Sequence, residues 1–294
     1  ASKKEGSIME KIWVVKKEMP LFDFLLQYSG INKKALKTSL NKGTVVVDGE
    51  VIRQADYRLT SGMQIKIEVQ EAKYHAPFEI LYEDDKLIAI NKPSGLLSVS
   101  AGLEKEKTAY HLVREYLRQK NPQTKVFVVH RLDRDTSGVL LLAKNPTIQK
   151  KLQDNWNELV KERGYVALVE GHMEKQSGTL KHYLSESKTQ QVYVSNAKQG
   201  KPAITHYRVI QELPKTSLLE IFLDTGRKNQ IRVQMAHIHH ALVGDKKYNS
   251  SLSRGRLCLH AHRLSFVDPD TNKLVIIEAK MPDFLGKSSK KDHY

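Results

Sequence analysis

His130-Arg131-Leu132-Asp133-Arg134-Asp135-Thr136-Ser137-Gly138 stands between two apolar runs of strand length, Val126–Val129 and Val139–Ala143. A charged loop caught between two buried strands is carried on a rigid scaffold, which is where reactive side chains tend to sit. The residues alone leave two readings open. Asp133 or Asp135 could do chemistry, or could simply form a structural ion pair with Arg131 or Arg134. A metal site is the weaker thought, because no second cluster of carboxylates is evident in the sequence.

Outward from this loop the pattern alternates short strands with helices. On the N-terminal side, 79–91 holds two strand-like pieces around the turn Glu83-Asp84-Asp85-Lys86, and Lys92-Pro93-Ser94-Gly95 breaks the chain. Residues 108–119 have the apolar spacing of a helix, with Leu112, Val113, Tyr116 and Leu117. Past the loop, Asn145-Pro146 opens a helical period carried by Ile148, Leu152, Leu159 and Val160, and a strand follows at 165–169. Without regular βαβ spacing, this order predicts an α+β domain around a mixed or antiparallel central sheet with flanking helices.

Residues 11–70 read as a separate small unit. Leu21, Phe24, Leu25 and Tyr28 give a helix ended by Gly30, and Lys33, Lys34 and Lys37 mark a second, basic helix with Leu36 and Leu40 on one face. Gly43-Thr44-Val45-Val46-Val47 then enters an Asp48-Gly49 turn, and 64–69 alternates like a half-buried strand. The division expected is 11–70, a polar linker at 71–77, a main domain at 78–284 and a disordered tail at 285–294.

The nine-residue loop is identical at every fixed position to His-Arg-Leu-Asp-x-x-Thr-Ser-Gly, the signature of the RluA-type pseudouridine synthases. Asn91-Lys92-Pro93-Ser94-Gly95-Leu96, 163–171, Thr225-Gly226-Arg227-Lys228-Asn229-Gln230-Ile231-Arg232 and Leu259-His260-Ala261 resemble further segments of that family, in the family's order. The helix–helix–strand–turn–strand unit at the N-terminus resembles the S4-like RNA-binding module. There Lys33, Lys34 and Lys37 match the basic face, although Leu21-Phe22-Asp23 replaces the usual Arg-Leu-Asp. Other departures are Arg163 for lysine, Asn229 and Gln234 for two histidines, His239 for glycine and Ala241 for proline.

The resemblance implies a pseudouridine synthase fold and an isomerase that needs no cofactor, no metal and no nucleotide energy source. Asp133 would act at the sugar, Tyr165 would stack on the uracil, and Arg232 would pair with Asp133 and keep it ionised. Arg131 would fill the gap left by a flipped-out base. His130, Lys33, Lys34, Lys37, Arg227 and Lys228 are the other expected RNA contacts, His130 alternatively serving as a structural hydrogen-bond partner in the loop. Structured RNA is the implied partner, ribosomal RNA of the large subunit more than transfer RNA. The competing reading from another class is a non-catalytic RNA-binding or ribosome-assembly factor that keeps the fold, against which all three chemical positions hold suitable residues.

Composition sets the outer limits. The 294 residues carry 48 Lys and Arg against 33 Asp and Glu, a formal charge of +15, with the excess in both the first 74 residues and the remainder. Such a balance suits a polyanion binder. One cysteine, Cys258, excludes a disulfide framework and fits a reducing compartment. No apolar run approaches the roughly 20 residues that span a bilayer. A monomer working in the cytoplasm, without membrane attachment, is the expectation.

Overall fold

The computed structural model describes residues 8–31, 33–70, 76–100 and 108–282. The tail expected at 285–294 and most of the linker expected at 71–77 lie outside these residues. The chain divides into two compact units, residues 1–77 with 112–125, and residues 78–111 with 126–294. The helix Ala109–Lys120 thus contributes most of its length to the first unit, where the sequence reading had assigned it to the main domain.

In the first unit, Pro20 sits just ahead of the helix Leu21–Tyr28, its fixed φ suiting the entry, and Leu21, Phe24 and Leu25 are buried at helical spacing. The basic helix Lys33–Lys42 buries Leu36 and Leu40 while Lys33 and Lys37 stay in solvent. Both helices cover a four-stranded sheet in the order Ile8–Val14, Gln64–Gln70, Val45–Val47, Glu50–Val51, with Val45, Ile65 and Ile67 fully buried. Asp48 and Gly49 both take positive φ, 48° and 88°, as a tight hairpin turn demands. The strand Ile8–Val14 was not legible in the sequence. It pairs along its whole length with Gln64–Gln70, with Trp13 packed on the core and Ile12 and Val14 exposed.

The second unit is built on an eleven-stranded sheet. Its path runs Val192–Ser195, Ser177–Glu186, Lys201–Leu213, Thr216–Leu223, Val160–Glu170, Leu259–Val267, Ser137–Ala143, Leu87–Lys92, Glu79–Glu83. Phe127–Val128 and Leu274–Glu278 pair beside it. The mixed α+β architecture expected from the sequence is present. Ser137–Ala143 lies parallel to Leu259–Val267 and the other pairings are antiparallel. Every residue of Ser137–Ala143 is buried, which explains its unbroken apolar run.

Helices close both faces. Pro146–Asp154 starts at Asn145, whose side chain accepts the Ile148 N–H at 2.8 Å, and buries Ile148 and Leu152 against Leu141 and Ala143. Gln230–His237 buries Ile231 and Met235 against Ala167, Val169, Leu219 and Ile221. One boundary differs from the sequence reading. The helical period drawn through Val160 stops short, and after the single turn Trp156–Leu159, Val160 pairs with Phe266 as the first residue of an eleven-residue strand.

Gly138 marks the closest approach of two backbones. It has φ +114°, and a Cβ there would lie 2.1 Å from the carbonyl oxygen of Ala261 on the parallel strand. Gly138→Ala should lower the unfolding free energy by about 2–3 kcal/mol, read as a shift of the urea midpoint with an unchanged slope.

Candidate active site

The charged loop leaves the sheet after Phe127–Val128 and rejoins it at Ser137, and a second segment holds it by its backbone. Lys92, at the end of its strand and fully buried, donates from Nζ to the carbonyls of Pro93 at 3.0 Å, Leu96 at 2.7 Å and Arg134 at 2.9 Å. The Gly95 N–H also reaches Arg134 O, and the Ser94 hydroxyl donates to Asp135 O at 2.7 Å. The buried Ser98 hydroxyl donates to Leu132 O and accepts the Leu132 N–H. Burial pulls the Lys92 ammonium down to about 8, against the charges of Asp135 and Asp133.

Asp133 projects from this loop into a cavity of about 510 Å³ shared with Arg131, Tyr165, Arg163, Asn229 and Arg232. Burial raises its carboxyl above the ordinary carboxylate range, opposed by the charges of Arg232, Lys247 and Arg131 and by the Asn229 N–H, which bonds to it. Asn229 can present that N–H because it takes a left-handed conformation, φ 53°, immediately before the helix Gln230–His237. The Thr136 hydroxyl is buried beside the same cavity and has no hydrogen-bond partner among the described residues.

Arg232 corrects one expectation. Its guanidinium does not pair directly with Asp133: Nε and Nη2 grip the two carboxylate oxygens of Asp245 at 2.7 and 2.8 Å. Nη1 reaches Asn229 Oδ1 at 3.3 Å, and the Tyr248 ring lies 5.4 Å away. Burial works against the charge, and the hydrogen bonds and charge of Asp245 more than restore it, so the group is raised. The carboxylate of Asp245 is itself fully used, accepting also the N–H groups of Lys247 and Tyr248. Asp133 therefore feels a fixed cation through space.

Tyr165, on Val160–Glu170, faces the same cavity. Burial lifts its phenol to about 12, with Arg163 opposing and Asp133 reinforcing, so the ring stays neutral. His130 proves to be framework. Burial drives it down to about 4, its Nε2 accepts the Leu141 N–H at 3.0 Å, and its ring packs 5.3 Å from Trp156.

Arg131, Arg227 and Lys228 are exposed residues of the cavity wall. Arg227 donates to Pro202 O at 3.0 Å and Lys228 pairs with Glu186. Lys33 and Lys37 belong to the first unit, and the side chain of Lys34 lies outside the described residues. Gln234, a departure from a family histidine, is fully buried and fixes the fold through Thr205 Oγ1 and Ala203 O.

The sequence reading gives no role to Asp245 or Ser98, and takes Lys92 as part of a chain break and of a family segment, without a role of its own. Asp245 follows Gly244 thirteen residues after Arg232, a spacing without helical or strand meaning, and only the fold joins the two. Among the described residues no group of three His, Cys, Asp or Glu is disposed to hold a metal ion. No helix among them is long and apolar enough to cross a membrane.

Comparison with known proteins places the chain in a family. Residues 86–237 match the family described as RNA pseudouridylate synthase. The chain is 32% identical over 223 residues to ribosomal large subunit pseudouridine synthase D of Salmonella typhimurium, covering 74% of this chain and 68% of that one. To the protein of the same name from Vibrio cholerae it is 30% identical over 277 residues, covering 87% and 85%. Among solved structures, human RNA pseudouridylate synthase domain containing 4 shares the fold, with a TM-score of 0.58, 22% identity, and 70% and 89% of the two chains covered.

A largely desolvated carboxylate held by one backbone N–H and by no direct ion pair costs stability. Because the folded-state value of Asp133 is raised, the protein gains from its protonation at low pH, and that gain is lost as pH rises through the raised value. Asp133→Asn should therefore melt above the wild type at pH 7, with the difference vanishing below the ordinary carboxylate value near 3.8. Calorimetry of both proteins across that range checks it, and a variant that melts lower at pH 7 would contradict the electrostatics described.

Proposed function

Because the chain belongs to the RNA pseudouridylate synthase family, we propose that it isomerises uridines of large-subunit ribosomal RNA to pseudouridine, with Asp133 as the group that acts at the sugar. The reaction breaks the C1′–N1 bond, turns the freed uracil and forms C1′–C5. The proton on C5 leaves as the new bond takes its place, and N1 ends protonated. Atoms and charge balance without an outside reagent, so the site has to position and stabilise rather than supply energy. Attack on C1′ and removal of the C2′ proton both require an ionised carboxylate.

What supports the reading is the convergence in one cavity of the half-buried Asp133, a guanidinium fixed by Asp245, and the neutral ring of Tyr165. Arg232 and the Asn229 N–H favour the charged form of Asp133 against its burial. Tyr165 offers a flat, uncharged surface on which a detached base can turn while still held. Arg131, exposed at the cavity wall, is placed to enter an RNA stack as the uridine leaves it. The first unit would serve as an S4-like RNA grip through Lys33, Lys34 and Lys37. The protein would work as a monomer in the cytoplasm, in keeping with its single, buried Cys258.

The test is tritium release from a large-subunit ribosomal RNA transcript carrying [5-³H]uridine, with a transfer RNA transcript alongside. Wild-type protein should release label from the ribosomal transcript. Asp133→Asn should release at least ~10³-fold less, as when a residue acting on the reacting atoms is removed, while its RNA affinity stays within about threefold. Turnover by that variant would overturn the assignment of Asp133. Release from transfer RNA alone would keep the reaction and overturn the ribosomal substrate.

A further inference from the structure

We propose that a second cavity, beside the catalytic one, receives an unpaired base next to the target uridine in the RNA strand. The proposal rests on the RNA-modifying reading above and deepens it. The cavity measures about 470 Å³ and is lined by Tyr193, His237, His239, Lys247 and Tyr248 among others. Three features point to a nucleotide.

The first is its position. Tyr248 and Lys247 stand between the two cavities. The Tyr248 hydroxyl is tied to Val192 O and to the Asn229 side chain, while its ring faces Arg232 of the catalytic site. Lys247 lines the second cavity, yet its charge is among those that act on Asp133. A strand with one nucleotide at Asp133 would pass its backbone by this ammonium.

The second is chemistry. Tyr193, His237 and His239 are exposed planar groups around one concavity, the pattern by which proteins stack unpaired bases. The one carboxylate of the lining, Glu170, is already occupied by Ser250, Ser251 and the Leu252 N–H. No other acidic side chain lines the cavity to repel phosphate.

The third is strain. His239 holds φ +65°, a conformation that glycine takes freely and a histidine takes at a cost. Its exposed imidazole finds no compensating hydrogen bond among the described residues, only the backbone bond to Ala236 O. An imidazole kept at the cavity against backbone preference is accounted for by a ligand that stacks on it.

Tyr193→Ala, Tyr193→Phe and His239→Gly in the full chain test this, using the large-subunit ribosomal RNA transcript for both binding and tritium release. Tyr193→Ala and His239→Gly should each raise Kd and KM about tenfold, the loss of one stacking contact, with KM moving more than kcat. Tyr193→Phe, which keeps the ring, should restore both to within twofold of wild type. His239→Gly should melt at or above the wild-type temperature, because it relieves strain while losing the contact. Kd and KM within twofold of wild type in Tyr193→Ala would overturn the subsite, and so would a Tyr193→Phe defect as large as that of alanine. If wild-type protein releases no tritium while Tyr193→Ala still weakens RNA binding tenfold, the subsite stands and the modification reading falls.

Discussion

A single buried ammonium holds the reactive loop in shape. Lys92 spends its three N–H groups on three backbone carbonyls, two from its own turn and one from Arg134 in the facing loop. A lysine with no solvent is expensive, which is why it is drawn down to about 8, and the three charge-assisted bonds offset that expense. Gly95, Ser94 and Ser98 add bonds to residues 132, 134 and 135, so Asp133 hangs from a loop tied on both sides. The parallel contact at Gly138 then fixes where the loop re-enters the sheet.

Upon this frame the electrostatics are arranged in tiers. Asp245, buried and saturated with hydrogen bonds, orients Arg232, and Arg232 with the Asn229 N–H conditions Asp133. Keeping the guanidinium on Asp245 leaves the oxygens of Asp133 clear of a direct ion pair, and so open toward the cavity. Fixed dipoles and charges of this kind need not rearrange when charge develops on a substrate. The stability given up by burying Asp133 is a trade of the sort seen where function overrides folding preference.

The sequence announced the loop, the strands around it and the residues that meet at its cavity, because each is encoded locally: an unbroken apolar run, an Asn-Pro helix start, a nine-residue signature. What it hid depends on distant partners. Ile8–Val14 is hard to read because Trp13 turns to the core while its neighbours Ile12 and Val14 face outward, and only pairing with Gln64–Gln70 makes it a strand. Val160 looked helical because its spacing from Leu152 and Leu159 continues a period that Asn155 interrupts. Asp245 carries no signal of its charge partner in the sequence, and the pairing of Arg232 with Asp133 that the resemblance implies is replaced in the fold by a direct pair with Asp245. His130, open in sequence to an RNA contact or to a structural hydrogen bond in the loop, makes the second, accepting the Leu141 N–H at its ring nitrogen.

The cavity also sorts the parts of a nucleotide by charge. Its exposed wall carries Arg131, Arg227 and Lys228, while Asp133 is the one carboxylate of the lining, with Arg163 and Arg232 beside it. Phosphates are drawn to the exposed cations, and Asp133 is the one lining group that repels them. A polyanion gathered at that wall is therefore met at the carboxylate by an uncharged nucleoside edge, rather than by a backbone lying across it as a competing anion.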